Sequence, residues 1–368
     1  MKIAYFVLDI SFLGGIERYT RELAAYVANM GHEVHIYSST ECNIPSVTSH
    51  KIKVYSFLPR WLKILQFQIT LNNKFKDSYD IIHNQDTYTK YDTVVTAHSC
   101  HAQWVRQCKK ESIKQWHIKT LYPLHWVLLY NEKRRFTKSK RITAVSQKVK
   151  DKVCNIYNVS PDKIDVIYPG ISLKNTQLKS KEYLREELNI PANAFILLFV
   201  ANEFKRKGLS VILKALEFAN NKDIFLLIAG SGKIKNYLNL TSFDIKKVKF
   251  LGKVKDVSKL YAASDLLVLP TKHEAFGMVA AEAMNESLAV LVSKLAGVAE
   301  IIKDENCLLY TPGDYKELLR KINFFASNKN LAYECGQKLK TEVKKYSWEY
   351  VANKTILSYH KIANNAKQ

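Results

Sequence analysis

Short apolar runs of strand length alternate with helical patterns along almost the whole of this 368-residue chain, and the series starts twice. Strands joined through helices cannot form hairpins, so the alternation dictates parallel sheets with helices packed on both faces. The first forty residues set the pattern: an apolar run at 3–8, the pair Gly14-Gly15, an amphipathic stretch through Leu23, Tyr26, Val27 and Met30, then Gly31 and a strand at 34–38. Further strands are predicted at 52–57, 80–83, 93–98 and 142–146, with long helical patterns at about 60–76 and 103–138. The stretch 166–171, ending in Pro169-Gly170, reads as a crossover. A second series follows, with strands at 195–201, 224–230, 248–251, 266–269 and 288–292 and helices at 209–219, 315–325 and 331–345, then a closing helix after Ser347. The expectation is an α/β chain of two doubly wound, Rossmann-like domains, 1–172 and 173–347, facing a central cleft, with 348–368 as a terminal helix. Such sheets bind ligands beyond the carboxyl ends of their strands, which directs attention to the loops after Leu8, His98, Ala201, Gly230 and Leu269.

Composition narrows the function classes. With 47% hydrophobic and 24% charged residues, the chain is an ordinary globular one and not disordered. The start, MKIAYFVLDI, imitates a signal peptide, but Asp9 interrupts it, and a buried first strand is the better reading. No apolar run approaches the roughly 18 residues of a membrane span; the best, 121–130, holds Pro123 and His125. Six cysteines without a Cys-x-x-Cys pair fit reduced thiols of a cytoplasmic protein, not a disulfide framework or zinc site.

Several common motifs are missing. The first loop lacks the Gly-x-Gly-x-x-Gly of a dinucleotide site. Gly230-Ser231-Gly232-Lys233 is half a P-loop, better read as a tight turn, and His98-x-x-His101 lacks the glutamate of a zinc-protease helix. No Asp-x-Asp occurs, so metal-chelating sugar-nucleotide chemistry is not expected.

What does carry chemistry is the segment from His273 to Glu282 after the strand at 266–269. Glu274 is expected in the loop and Glu282 about two turns into a helix beginning near Phe276, with the amides of Phe276, Gly277 and Met278 offered to a diphosphate or sugar hydroxyls. Gly277 would let that ligand approach closely. The alternative is a pair of solvated acids at a helix start. Arg206 and Lys207, in the loop after 195–201, form a charge-assisted cradle for a diphosphate, or else a solvated basic loop. Gly14-Gly15-Ile16-Glu17-Arg18 places two glycines beside a helix N-terminus, where phosphate or sugar can touch backbone, or simply makes a turn.

Together these pieces resemble the retaining GT-B glycosyltransferases of the GT4 type, over nearly the whole chain. Glu274 and Glu282, seven residues between them, are the most specific match; Arg206-Lys207-Gly208, Gly14 to Glu17 and Tyr346-Ser347-Trp348 agree in order and spacing. The resemblance implies that Glu282 binds ribose hydroxyls, Glu274 contacts the transferred sugar, and Arg206 and Lys207 hold the diphosphate with Gly14 and Gly15 near it. It also implies that the helix after Trp348 crosses back onto the first domain. His98 matches a histidine placed near the donor sugar, though a buried core histidine is the competing reading. Glu17 and Arg18 become acceptor-side candidates. The nearest relatives implied are the lipopolysaccharide core glucosyltransferases, similar through Thr96 to Ala102 but tending to carry acids where this chain has Tyr19 and His98. A nucleotide-sugar, a UDP-sugar such as UDP-glucose, would be the donor, a glycan or lipid-linked molecule the acceptor, and no cofactor or metal is expected.

The net charge of +22 favours anionic partners, and much of it is local: residues 103–141 hold 11 basic residues against Glu111 and Glu132. Lys109, Lys110, Lys133, Arg134 and Arg135, interleaved with Trp104, Trp116 and Trp126, and Trp61 nearby, suit a face resting on anionic headgroups at the inner membrane face. Such a face would also suit single-stranded nucleic acid, but no nucleic-acid partner is expected on the sugar-transfer reading. Core-facing aromatics with solvated lysines are the plain alternative. The rival to an enzyme is a polyanion-binding protein on a degenerate scaffold of the same fold.

Overall fold

The computed structural model describes all residues except 12–13, 76–77, 112–115, 117–120, 173–178, 222, 239–240, 304–307 and 366–368. The chain divides into two compact units, Met1–Gly170 with Trp348–Gln368, and Ile171–Ser347. The boundary falls at Gly170, two residues before the expected 172.

In the first unit the strands are β1 (Lys2–Phe6), β2 (Glu33–Ser38), β3 (Val47–Lys51), β4 (Ile81–Asn84), β5 (Val94–Ala97), β6 (Arg141–Ala144) and β7 (Ile164–Val166). They form one sheet in the order β3-β2-β1-β4-β5-β6-β7. Every pairing is parallel. The sequence order reverses between β1 and β4, which makes their carboxyl ends the switch point of this unit. The central strands read as continuous apolar runs because both faces are covered: Ile3, Ala4, Tyr5 and Phe6 are wholly buried. The helices are α1 (Gly15–Asn29), α2 (Arg60–Lys74), α3 (His101–Glu111), α4 (Pro123–Lys138) and α5 (Gln147–Tyr157). Helix α1 buries Leu23, Ala24 and Val27 against β1 and β2. The third strand is Val47–Lys51 and not 52–57: an edge strand pairs on one side only, so Thr48, Ser49 and His50 suffice where a run of apolar residues is not required. Among the described residues the helical pattern at 103–138 includes α3 and α4, which are separate helices, α4 starting at Pro123 in its first position. His101 and Trp104 of α3 and His125 of α4 stack face to face at 5.3 Å and join the two.

The last helix of the chain, Trp348–Asn365, belongs to this unit. Trp348 is buried against Tyr19 of α1, and a Cβ on Gly170 would meet its ring at 2.4 Å, so only glycine fits there. Further along, the Tyr359 hydroxyl meets Tyr5 Oη at 3.1 Å and His83 Nδ1 at 2.7 Å, and Ser358 and Lys361 bond Asp165.

The second unit holds β8 (Phe195–Val200), β9 (Ile224–Ala229), β10 (Val248–Gly252), β11 (Leu266–Leu269), β12 (Ala289–Ser293) and β13 (Leu309–Tyr310), in the order β10-β9-β8-β11-β12-β13. Its switch point lies between β8 and β11. Helices α6 (Lys181–Glu187), α7 (Phe204–Lys207), α8 (Leu209–Leu216), α9 (Lys235–Leu238), α10 (Ser258–Ala263), α11 (Met278–Asn285), α12 (Tyr315–Ser327) and α13 (Lys329–Val343) surround the sheet. Among the described residues no helix is long and apolar enough to cross a membrane, and no group of three or more potential metal ligands converges.

Candidate active site

The second unit gathers its charged residues at its switch point. After β8 the chain makes the single helical turn α7, anchored by Phe204, which is buried and packs edge-on against Phe199. Gly208 then turns back at φ 85°, and a Cβ there would meet the Pro270 carbonyl oxygen at 2.2 Å. That close approach brings the loops after β8 and β11 together. Lys207 Nζ forms an ion pair with the Glu274 carboxylate, both side chains largely buried. Arg206 donates from Nη1 to the His273 carbonyl at 3.1 Å and from Nε to Glu203 at 3.0 Å. Three of the residues singled out from sequence thus form one cluster.

Burial, then the adjacent Arg206 charge, pulls the Lys207 ammonium well below the usual lysine range. Contact with the Glu274 carboxylate favours the charged form. The site therefore holds a desolvated cation beside a half-buried guanidinium, where water screens their positive charge little.

Three details differ from the sequence reading. Helix α11 begins at Met278 and not near Phe276, so Glu282 lies little more than one turn in. Phe276 turns its side chain into the core and its carbonyl accepts from the Val298 amide at 2.7 Å. Gly277 is required by its backbone, φ 107°, and by packing: a Cβ would come within 3.0 Å of Leu269 Cδ2 and 3.4 Å of Glu274 Cγ. Glu282 accepts a hydrogen bond from Tyr261 Oη at 3.0 Å, a partner the sequence reading missed. Gly230 and Gly232 serve packing too, the second lying under the Phe204 ring.

In the first unit, Gly14 and Gly15 open α1. A Cβ on Gly14 would strike Glu17 Oε2 at 2.2 Å, so the Glu17 carboxylate folds over that glycine, whereas Gly15 faces open space. Arg18 lies on the next position of α1, half-buried, and is not part of the cavity that Glu17 lines. His98 follows β5; its Nε2 lies 2.9 Å from Gln85 Oε1 and its ring packs edge-on against Tyr19 at 4.9 Å. Burial, with Arg135 adding to it, holds the imidazole well below its ordinary value, so His98 is neutral and offers one donor and one acceptor. Its loop is fixed by Glu132 of α4, whose carboxylate accepts from the amides of His101 and Ala102 and from Tyr157 Oη.

Arg135 is not a surface residue. It is buried, with Nη2 bonded to the carbonyls of Thr96 and Gln85, and it leaves the set of membrane candidates. Lys109 and Lys133 are exposed, Arg134 and Trp61 half-buried; the Lys110 side chain lies outside the described residues. Beside them Tyr122, Trp126 and Tyr130 are exposed at four-residue spacing along α4, the guanidinium of Arg134 lying over the Tyr130 ring.

Comparison with known proteins places the chain in a family. The model of the glycosyl transferases group 1 matches residues 180–342 and that of Glycosyltransferase Family 4 matches residues 13–175. An uncharacterized glycosyltransferase of Methanocaldococcus jannaschii is 28% identical, covering 98% of each chain. The lipopolysaccharide glucosyltransferase WaaG of Escherichia coli is 25% identical over 83% of this chain and 84% of its own. The crystal structure of WaaG superposes with a TM-score of 0.78 at 22% identity, covering 96% of this chain and 98% of that one. The structure of Anabaena HepE with UDP and glucose gives 0.71 at 18% identity, covering 98% and 100%. The chain belongs to the GT4-type glycosyltransferases of the GT-B fold, close to the lipopolysaccharide core glucosyltransferases.

Proposed function

We propose that this glycosyltransferase is a retaining, metal-independent hexosyltransferase. It transfers a sugar from a UDP-sugar such as UDP-glucose to a glycan or lipid-linked acceptor in cell-surface polysaccharide or lipopolysaccharide synthesis, at the inner face of the cytoplasmic membrane. The observation that carries the reading is the Lys207–Glu274 pair, with Arg206 beside it, at the β8/β11 switch point. A diphosphate arriving there draws the Lys207 ammonium and the Arg206 guanidinium, and both stabilise the charge that grows on the departing nucleotide. Glu274, released from Lys207, turns its acceptor oxygens to the hydroxyls of the transferred sugar. The acceptor hydroxyl then attacks from the face the nucleotide leaves: the new bond to the anomeric carbon forms as the bond to the diphosphate oxygen breaks, and the hydroxyl's proton passes to that oxygen, which gives retention without a nucleophilic carboxylate. HepE, a structural neighbour, was crystallised with UDP-glucose, which supports the choice of base.

The test is a titration of UDP, GDP and their hexose conjugates, read by calorimetry and by hydrolysis. UDP binding that Lys207→Ala weakens is the expected result. Absence of any nucleotide binding would leave the rival reading, a polyanion-binding protein on this scaffold. Glu282 has a separate expectation, because ribose hydroxyls take no part in bond breaking and their contacts are alike in ground and transition states. Glu282→Ala should raise the donor KM about ten- to a hundredfold with a smaller loss in kcat, since one charge-assisted hydrogen bond is worth about 1.5–3 kcal/mol. An unchanged KM would show that the carboxylate serves only Tyr261.

A further inference from the structure

The first unit has a switch point of its own, and a cavity of about 490 Å³ opens there that the donor chemistry does not use. Asp9 follows β1, Asp86 follows β4, Glu17 stands on α1, and Arg60 and Lys63 come from the first turn of α2; all five line it. Two of the acids are held in place by the fold. Asp86 accepts from the Leu8 amide at 3.0 Å, and Asp9 accepts from Ser11 and from Thr40 Oγ1. Arg60 and Lys63, three residues apart, share one face of α2. Tyr55 adds an exposed aromatic face, and Leu8, Ser39, Thr40, Val54 and Ser56 complete the lining.

This lining has two chemistries. Carboxylates, hydroxyls and an aromatic face suit a polyhydroxylated ring, whose O–H groups need acceptors and whose C–H face needs an apolar surface. The two cations on α2 add a second chemistry: Arg60 lies within electrostatic reach of Glu17 and Asp86, and with Lys63 it marks the one side of the cavity where an anionic substituent is attracted and not repelled by the acids. The volume accommodates a monosaccharide with one charged substituent. A second hollow, about 670 Å³ along α6, offers no comparable match, because its Arg185 is committed to the carbonyls of Ala192, Ala194 and Ala263 and to Asp265.

We propose that this cavity receives the acceptor and that the acceptor's terminal residue is an anionic sugar, its phosphate or carboxylate held by Arg60 and Lys63 and its hydroxyls by Asp9, Glu17 and Asp86. The inference rests on the glycosyl-transfer reading and adds the class of acceptor to it. The charged group sets the orientation of the ring, and so determines which hydroxyl is presented for glycosylation.

The full-length protein is titrated with hexose 1- and 6-phosphates, hexuronic acids, the same sugars uncharged, and inorganic phosphate. The expected result is that at least one charged sugar binds ten times or more tighter than its neutral parent, and that Arg60→Gln/Lys63→Gln removes the difference while UDP affinity is unchanged. Sugar phosphates outbinding uronic acids assigns a phosphate, the reverse a carboxylate. The proposal is overturned if no charged sugar outbinds its parent, if the double variant keeps the preference, or if inorganic phosphate binds as well as any sugar phosphate. The UDP arm reports on the donor site separately, so loss of UDP binding in the wild-type protein counts against the transfer reading and not against this cavity.

Discussion

Glu274→Ala and Lys207→Ala are each expected to cut kcat by about two to three orders of magnitude, the effect of removing one preorganised contact to charge that develops in the transition state, about 2.7–4 kcal/mol. Each variant also carries a stability cost that loop residues would not, because the two side chains are largely buried and paired with one another. Truncating one leaves the other as an uncompensated buried charge, at a cost of about 3–5 kcal/mol. The double variant Lys207→Ala/Glu274→Ala removes both charges, and should regain most of that stability while remaining inactive. Urea midpoints together with single-turnover kinetics separate the two effects. Wild-type kcat in either single variant would remove that residue from the reaction. A double variant whose stability loss equals the sum of the singles would show that the pair is not coupled.

The pairing itself could not be read from the sequence. Arg206-Lys207 and Glu274 were each visible as charged residues at strand ends, but 67 positions separate the partners, and nothing local reports that Gly208 and Pro270 touch. The strands at 224–229 and 266–269 were legible because a strand covered on both faces must be apolar throughout. Edge strand β3 is covered less, so its Thr48-Ser49-His50 carries no such signature. Arg135 was misplaced for a related reason. Helix α4 turns Asn131, Glu132, Arg135 and Phe136 inward, mostly polar residues, and a search for apolar periodicity does not register a polar buried stripe. These polar side chains hold the β4 and β5 carboxyl ends in place from inside the fold, where hydrogen bonds to buried carbonyls replace water. Asp86 had a usable signal: it follows a strand at its carboxyl end, and the loop after β4 belonged among the loops to search.

The opposite face of α4 carries the second large expectation. Tyr122, Trp126 and Tyr130 form an exposed aromatic stripe, flanked by Lys133 and Arg134, with Lys109 exposed on α3. Aromatic rings with a polar edge settle at the headgroup level of a bilayer, and each nearby cation adds about 1 kcal/mol on an anionic surface. Neutralising Lys109, Lys110, Lys133 and Arg134 together should therefore weaken binding to anionic vesicles by about 4 kcal/mol, roughly a thousandfold. Trp126→Ala/Tyr130→Ala should weaken it too, and in that variant the dependence on salt should persist, because the charges remain while the inserted area is lost. Arg135→Met is the control that separates surface from core: it should lower stability by stranding the carbonyls of Gln85 and Thr96, and leave vesicle affinity of the folded fraction intact. Donor hydrolysis should survive in the fourfold variant, because Arg206, Lys207, Glu274 and Glu282 belong to the other unit and Gly14, Gly15 and His98 are left unaltered. Wild-type protein that ignores anionic vesicles at low salt, or a fourfold variant that binds them equally well, would make this stripe a solvated helix face.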